Sequence, residues 1–335
     1  MKKIVALLLA LTMSMALVAC GGGDGSSAAG GSEASGSGSS AAAGGEDSGI
    51  VIGWLQKNQT NNFEVKINEG GEALLEKYKA EGVISEYYLF DGAGDAATQV
   101  TQAQDLINLG VDAAIIQPAE TEASAPAVDL LVEAGIPVIA VNAQTSNIDL
   151  CTAYVGSNDV EAGEIMGNFI LEVCGETGGY AHLQGATGNS AAMQRTEGVH
   201  NVMDAASGWK MLDEQDANWQ GDKASTFTSD WINLYGDELK AIICDNDDMA
   251  VASKVACTEA GRSDIVVIGV DAIESALQMV ASGEGDATVF QDGNGQGAGA
   301  VEAAVAAAQG KEVEKYTWIP FVLVTSENIS EYYEG

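Results

Sequence analysis

Residues 113–142 read AAIIQPAETEASAPAVDLLVEAGIPVIAVN, and this stretch decides the fold class. Ala113–Gln117 and Pro137–Asn142 are short runs, largely apolar and rich in isoleucine and valine. Parallel strands covered on both faces have that composition. A segment of helical length lies between them, so the pair makes a strand–helix–strand unit with a right-handed crossover. The same alternation extends in both directions. Further strands are expected at Ile50–Trp54, Tyr87–Phe90, Gly179–Leu183, Met211–Asp213, Ala241–Cys244, Ile265–Val270 and Thr288–Gln291. Phe63, Ile67, Leu74 and Tyr78 recur at helical spacing, as do Val100, Ala103 and Ile107 before the stop signal Gly110. Asp159, Asp222 and Asp247 are expected to cap the helices through Val173, Tyr235 and Ala260.

The units fall into two series, 50–153 and 154–291, which predicts an α/β protein of two doubly wound lobes. Beyond residue 50 the chain has roughly 285 residues, more than one core usually carries, which agrees with two lobes. Thr317–Thr325 is an apolar stretch, and its Pro320 suits an edge or crossing strand. A molecule of this kind places its ligand where strand C-termini from both lobes face a cleft.

The first residues carry a different signal. Met1, Lys2 and Lys3 precede an apolar run from Ile4 to Val18, then Ala19 and Cys20. A basic start, a short apolar core and a small residue before the cut describe a secretory signal peptide. The run is shorter than the ~20 residues a membrane-crossing helix needs. Leu17-Val18-Ala19-Cys20 also resembles the bacterial lipobox, which implies a signal peptide over 1–19 and a diacylglyceryl anchor on Cys20. Two acyl chains hold a protein at a membrane durably. Residues 20–49, nearly all Gly, Ser, Ala and acid after the cysteine, are expected to form a disordered leash. The expected location is therefore the outer face of a bacterial plasma membrane.

Composition excludes other classes. A formal net charge of −35 excludes nucleic acid as a natural partner and suits solubility. Cys151, Cys174, Cys244 and Cys257 match no zinc spacing. They read as small core residues, although Cys244 on a strand and Cys257 on the next helix leave a bridge possible outside the cytoplasm.

The strand ends carry the functional signal. Gln59-Thr60-Asn61-Asn62-Phe63 follows the first strand, and Asn142 ends the fourth. Gln184 through Asn189 follows the strand at 179–183, with Arg195 on the next helix. Trp219, Asn246, Asp271 and Gln291 end the later units. Amides, a guanidinium and carboxylates can donate to and accept from every hydroxyl of a neutral polyol. Aromatic faces can cover the C–H faces of its ring.

With these residues the chain resembles the ribose- and galactose/glucose-binding proteins of ABC importers, which share the type I periplasmic binding-protein fold. The likeness runs from about residue 50 to the C-terminus. It is closest at Asn61-Asn62-Phe63, Ala153-Tyr154-Val155-Gly156, Asn246-Asp247-Asp248-Met249-Ala250 and Gly269-Val270-Asp271-Ala272. The resemblance implies two lobes joined by a multi-strand hinge, 50–153 with 293–317 and 154–292 with 318–335. It implies that a monomer captures a neutral monosaccharide by hinge closure and delivers it to an ABC permease. In it Asn61 and Phe63 supply a polar group and a stacking ring, and Trp219 the aromatic wall of the second lobe. Asn142, Asn189, Arg195, Asn246 and Asp271 are the implied hydroxyl binders, and Gln291 the hinge amide. No catalytic residue, cofactor or metal is implied.

The chain departs from the galactose/glucose pattern at Asn61, Ala143, Asn189 and Ala191, where those proteins carry acid, base and imidazole groups. Truncation to alanine leaves room for a different sugar or an added substituent. The calcium loop of those proteins is missing, because Gly175-Glu176-Thr177-Gly178 is too short to wrap a cation.

Every site residue also has a plain structural reading. Asn61 can cap a helix, Phe63 and Trp219 can be core, and Arg195 can form a salt bridge. Rival functions find less support. Gly293-Asn294-Gly295-Gln296-Gly297-Ala298 fits a dinucleotide fingerprint, with Glu314 about twenty residues on, but no nucleotide-binding half follows it. For a hydrolase the only imidazoles are His182, inside a strand, and His200, on a helix face. Gly188-Asn189-Ser190-Ala191-Ala192 misses the nucleophile elbow at its last glycine. A sensory receptor for a sugar-like signal would use the same fold.

Overall fold

The structure is a computed structural model and describes residues 49–333. The expected signal peptide, the anchor at Cys20 and all but the last residue of the leash lie outside the described residues.

From its start the chain alternates β1 (Val51–Gln56), α1 (Asn62–Ala80), β2 (Glu86–Asp91), α2 (Ala96–Leu109), β3 (Ala113–Ile116), α3 (Ala125–Glu133), β4 (Val138–Val141) and β5 (Ala153–Gly156). It continues through α4 (Asp159–Cys174), β6 (Gly178–Gln184), α5 (Ser190–Met203), β7 (Trp209–Asp216), α6 (Gly221–Tyr235) and β8 (Leu239–Cys244). Then come α7 (Asp247–Glu259), β9 (Val266–Asp271), α8 (Glu274–Ser282), β10 (Ala287–Phe290), α9 (Gly293–Ala308), β11 (Tyr316–Trp318) and β12 (Val322–Val324).

Two six-stranded sheets result, ordered β11-β5-β4-β3-β1-β2 and β12-β10-β9-β8-β6-β7. Every pairing is parallel except that of β12 with β10. Within each lobe the first five strands follow the order 2-1-3-4-5, whose switch point opens a crevice at the strand C-termini. The chain passes between sheets three times: after β5, after β10, and between β11 and β12.

Strand alternation divides each core in two. Ile52 and Trp54 point to the face covered by α1 and α9, and Leu55 to that covered by α2 and α3. In the second lobe Tyr180 packs with α4 and α5, while Ala181 and Leu183 face α6 and α7. Fully burying each large apolar side chain contributes on the order of 1.5–3 kcal/mol. Helices α4 and α5 pack closely because two glycines meet. A Cβ on Gly163 would lie 2.1 Å from the Arg195 carbonyl oxygen, and one on Gly198 2.0 Å from that of Val160.

Several expectations are corrected. β5 lies in the first sheet between β4 and β11, so the first passage between lobes follows Gly156, not residue 153. Helix α4 has Asn158 at its N-cap position, without a side-chain capping bond, and Asp159 is a buried first-turn residue with another task. Helix α6 begins after Gln220, leaving Asp222 in its first turn. Asn246, not Asp247, caps α7 through the Met249 amide. Asp247 is buried instead, accepting from Thr288 Oγ1 at 2.8 Å and from the Ile273 amide at 3.1 Å. All four cysteines are free, so no bridge joins Cys244 to Cys257. Burial pushes the Cys257 thiol up to about 11 and that of Cys151 to about 12.

The glycine run of the dinucleotide-like stretch opens α9. A Cβ on Gly297 would lie 2.0 Å from the Ile67 carbonyl oxygen, so this glycine lets α9 lie against α1. Among the described residues no helix is long and apolar enough to cross a membrane, and no group of three His, Cys, Asp or Glu could hold a metal ion.

Candidate ligand-binding site

The strand C-termini of both lobes converge on a cavity of about 320 Å³. Eight of the nine residues expected from the sequence line it: Asn61, Phe63, Asn142, Asn189, Arg195, Trp219, Asn246 and Asp271. Gln291 stands behind it and accepts from Arg195 Nη2 at 3.0 Å. Ala191 lines the cavity too, together with Lys57 and Glu64, which sequence reasoning missed.

Local structure explains each placement. Asn61 caps α1, its Oδ1 accepting from the Phe63 and Glu64 amides at 3.0 and 3.3 Å. That cap turns Phe63, 6% exposed, between the cavity and the core of the first lobe. Asn189 caps α5 through the Ala191 amide at 3.1 Å. The capping readings of Asn61 and Asn189 and their place in the cavity are thus compatible. Trp219 packs on the bare backbone of Gly185, where a Cβ would lie 2.2 Å from the indole.

Asn142, Trp219 and Asp271 have φ values of 64°, 63° and 122°. Non-glycine residues avoid this region, and each instance costs on the order of 1–3 kcal/mol. Three strained residues around one cavity mark a place where side-chain direction outweighs backbone comfort.

The polar groups are held in fixed orientations. Arg195 donates from Nε to Asp159 Oδ1 at 2.9 Å, from Nη2 to Gln291 Oε1, and from Nη1 to the Asp245 carbonyl. Its Nη1 also lies 4.0 Å from Asp271 Oδ1. Burial alone would lower the Arg195 pKa, but Asp159, Asp271 and Asp245 reverse that and raise it. Burial pushes the Asp271 carboxyl well above the usual range, and Arg195 only partly opposes this. Asn142 donates from Nδ2 to Gln296 Oε1 at 3.1 Å, leaving its Oδ1 as an acceptor. Asn246 Oδ1 is taken by the Met249 amide at 3.1 Å, leaving its Nδ2 as a donor. The cavity therefore offers a carboxyl oxygen and an amide oxygen as acceptors, with a guanidinium and an amide nitrogen as donors. Lys57 and Glu64 pair with each other at 2.7 Å.

His182 lies in β6 with Nδ1 2.9 Å from Glu214 Oε2 and Nε2 3.0 Å from Asp245 Oδ1. Burial would lower its pKa, but Asp245 and Glu214 prevail and raise it to about 9. Asp245 Oδ2 accepts from the Gly185 amide at 2.8 Å, so this imidazolium underpins the loop beneath Trp219. His200 lies on α5, within 3.1 Å of Glu214 Oε2.

The two lobes are closed over the cavity. Thr121 donates its amide to the Gly188 carbonyl at 2.8 Å, and Asn189 Nδ2 donates to the Ala119 carbonyl at 3.1 Å. The Gln144 amide reaches Ser190 Oγ at 2.7 Å, and Asn62 Nδ2 reaches Asp248 Oδ1 at 2.7 Å.

Comparison with known proteins follows this geometry. Residues 52–312 match the model of the periplasmic binding protein domain. A Rhizobium meliloti protein described as rhizopine-binding is 38% identical over 72% of this chain and 80% of its own length. The ribose import binding protein of Bacillus subtilis is 30% identical over 84% of this chain and 90% of its own. Among solved structures, an ABC transporter solute-binding protein from Bacillus halodurans with bound myo-inositol superposes with a TM-score of 0.81. It is 30% identical, and the match covers 86% of this chain and 99% of that one.

Proposed function

This chain belongs to the periplasmic binding protein family, and we propose that its cavity takes a neutral cyclic polyol, a monosaccharide or an inositol, for an ABC importer. The protein is a solute-binding protein, and its matched relatives are described as binding proteins. What supports the ligand class is one observation: fixed donors and acceptors from both lobes meet around a single buried cavity with Phe63 and Trp219 in its wall. Asp271 and Asn142 Oδ1 accept from ligand hydroxyls, Arg195 and Asn246 Nδ2 donate to them, and the aromatic rings cover C–H faces. Because these groups come from different lobes, only the closed form makes all the contacts, and the ligand stabilises closure by that difference. The relatives' ligands, ribose in one case and myo-inositol in another, have this chemistry. In this reading the protein works as a monomer, tethered by lipid at Cys20.

A thermal-unfolding screen over pentoses, hexoses and inositols tests this. For a dissociation constant near a micromolar, a millimolar dose stabilises by ~4 kcal/mol. In a molecule of this size that is a rise on the order of 10 °C. Asp271→Ala is expected to abolish the rise while leaving the melting temperature of the unliganded protein nearly unchanged. A flat response across the panel rejects the polyol. A large loss of stability with intact affinity makes Asp271 structural.

A further inference from the structure

We propose that Lys57 is a gate between the closed cavity and a larger outer cleft, and that it restricts the ligand to a single unsubstituted ring. This rests on the reading of the inner cavity as the ligand site. The outer cleft is open to solvent, spans about 1,320 Å³ and is lined largely by polar residues, among them Asn58, Asn62, Asn218 and Asp248. Lys57, Asn61, Glu64 and Trp219 line both spaces, so these four side chains form the partition.

Three of the four are fixed by other tasks. Asn61 caps a helix, Trp219 rests on Gly185, and Glu64 accepts from Gln117 Nε2 within the first lobe. Lys57 completes the wall from the end of β1. Its Nζ is 2.7 Å from Glu64 Oε1 in its own lobe and 5.6 Å from the centre of the Trp219 ring in the other. The lysine thus spans the interlobe gap with a flexible stem, one end anchored by charge and by an aromatic face. Its backbone is held as well, the carbonyl accepting from the Gly94 amide at 2.8 Å. In this gate Lys57 stands in the path that a bulky substituent on the bound ring would take toward the outer cleft. Release likewise requires the lysine to leave Trp219.

The test compares the wild-type protein with Lys57→Ala and Lys57→Arg. The probes are D-ribose, D-allose and myo-inositol, each beside its O-methyl and O-glucosyl derivatives. The wild type is expected to favour a parent ring over its O-glucosyl derivative by about a hundredfold or more, and Lys57→Ala to bring that ratio below about ten. Lys57→Ala is also expected to release the parent ring about tenfold faster in stopped-flow fluorescence, most affinity changes residing in the off-rate. Lys57→Arg, which keeps charge and reach, restores both. A folded Lys57→Ala protein with unchanged discrimination and unchanged release overturns the gate. If no probe binds the wild type, the polyol reading fails separately. A crystal structure of Lys57→Ala then decides the gate: joined spaces support it, and an intact partition overturns it.

Discussion

His182 is one of only two histidines in the chain, and its surroundings tie its charge to the fold. It is fully buried between Asp245 and Glu214, and its pKa is raised to about 9. An unfolded histidine titrates near 6.5, so the folded state binds the proton more tightly. The stabilisation, on the order of 3 kcal/mol, is complete below about pH 6.5, declines above it and is gone once the pH passes about 9. Urea unfolding from pH 6 to 10 is expected to show that fall, and His182→Phe to flatten it. A two-resonance imidazole titration by NMR reads the pKa directly, and a value near 6.5 would contradict the charged pair. The residues that sequence reasoning found and missed differ physically. Asn142, Asn246 and Asp271 stand at or just after the ends of apolar strands, where a polar group contrasts with its neighbours, and Arg195 lies on the helix that follows one. Lys57 and Glu64 sit in a loop and a helix start that are polar anyway, where burial leaves no trace in composition. Asp159 reads from the sequence as the cap of α4, whereas it lies in the first turn as the counter-ion of Arg195; the two tasks call for the same residue type at nearly the same place.

Elements decide how well these residues are held. Arg195 lies one turn before Gly198 on α5, and Gly163 on α4 closes against the Arg195 carbonyl. Gly198→Ala is expected to force the helices apart, costing ~1–3 kcal/mol in urea unfolding. It should also weaken ligand binding severalfold in titration calorimetry, since the guanidinium moves with its helix. Unchanged affinity in the destabilised variant would uncouple the helix contact from the site. Long apolar strands were legible as elements, although several extend further than their apolar runs, β7 from Met211–Asp213 to Trp209–Asp216. β5 is absent from the strands expected from the sequence, and it gains its identity from pairing with β4 and β11. That pairing is a tertiary fact.

For the whole molecule, alternation predicted two lobes, but nothing in it predicts that they close. Closure depends on contacts such as Thr121 with Gly188 and Asn62 with Asp248, between residues far apart in the chain. Asp248 takes amide donors from both Asn61 and Asn62 across the cleft, at 3.4 and 2.7 Å. Asp248→Ala removes this clasp at a residue that does not itself line the inner cavity, freeing only the Asn61 amide there. Small-angle scattering is expected to show a larger radius of gyration for the unliganded variant, and titration a severalfold weaker affinity, since fewer molecules occupy the binding-competent form. Identical scattering and affinity would show that the clasp contributes nothing.

The three passages of chain between the sheets have a mechanical consequence. Three strands side by side bend together about one line, yet they resist shearing and torsion, as a door on several pins swings but does not wobble. Opening should therefore follow a single arc. Each return along that arc would bring Arg195 and Asp271 back in register with Asn61 and Asn142.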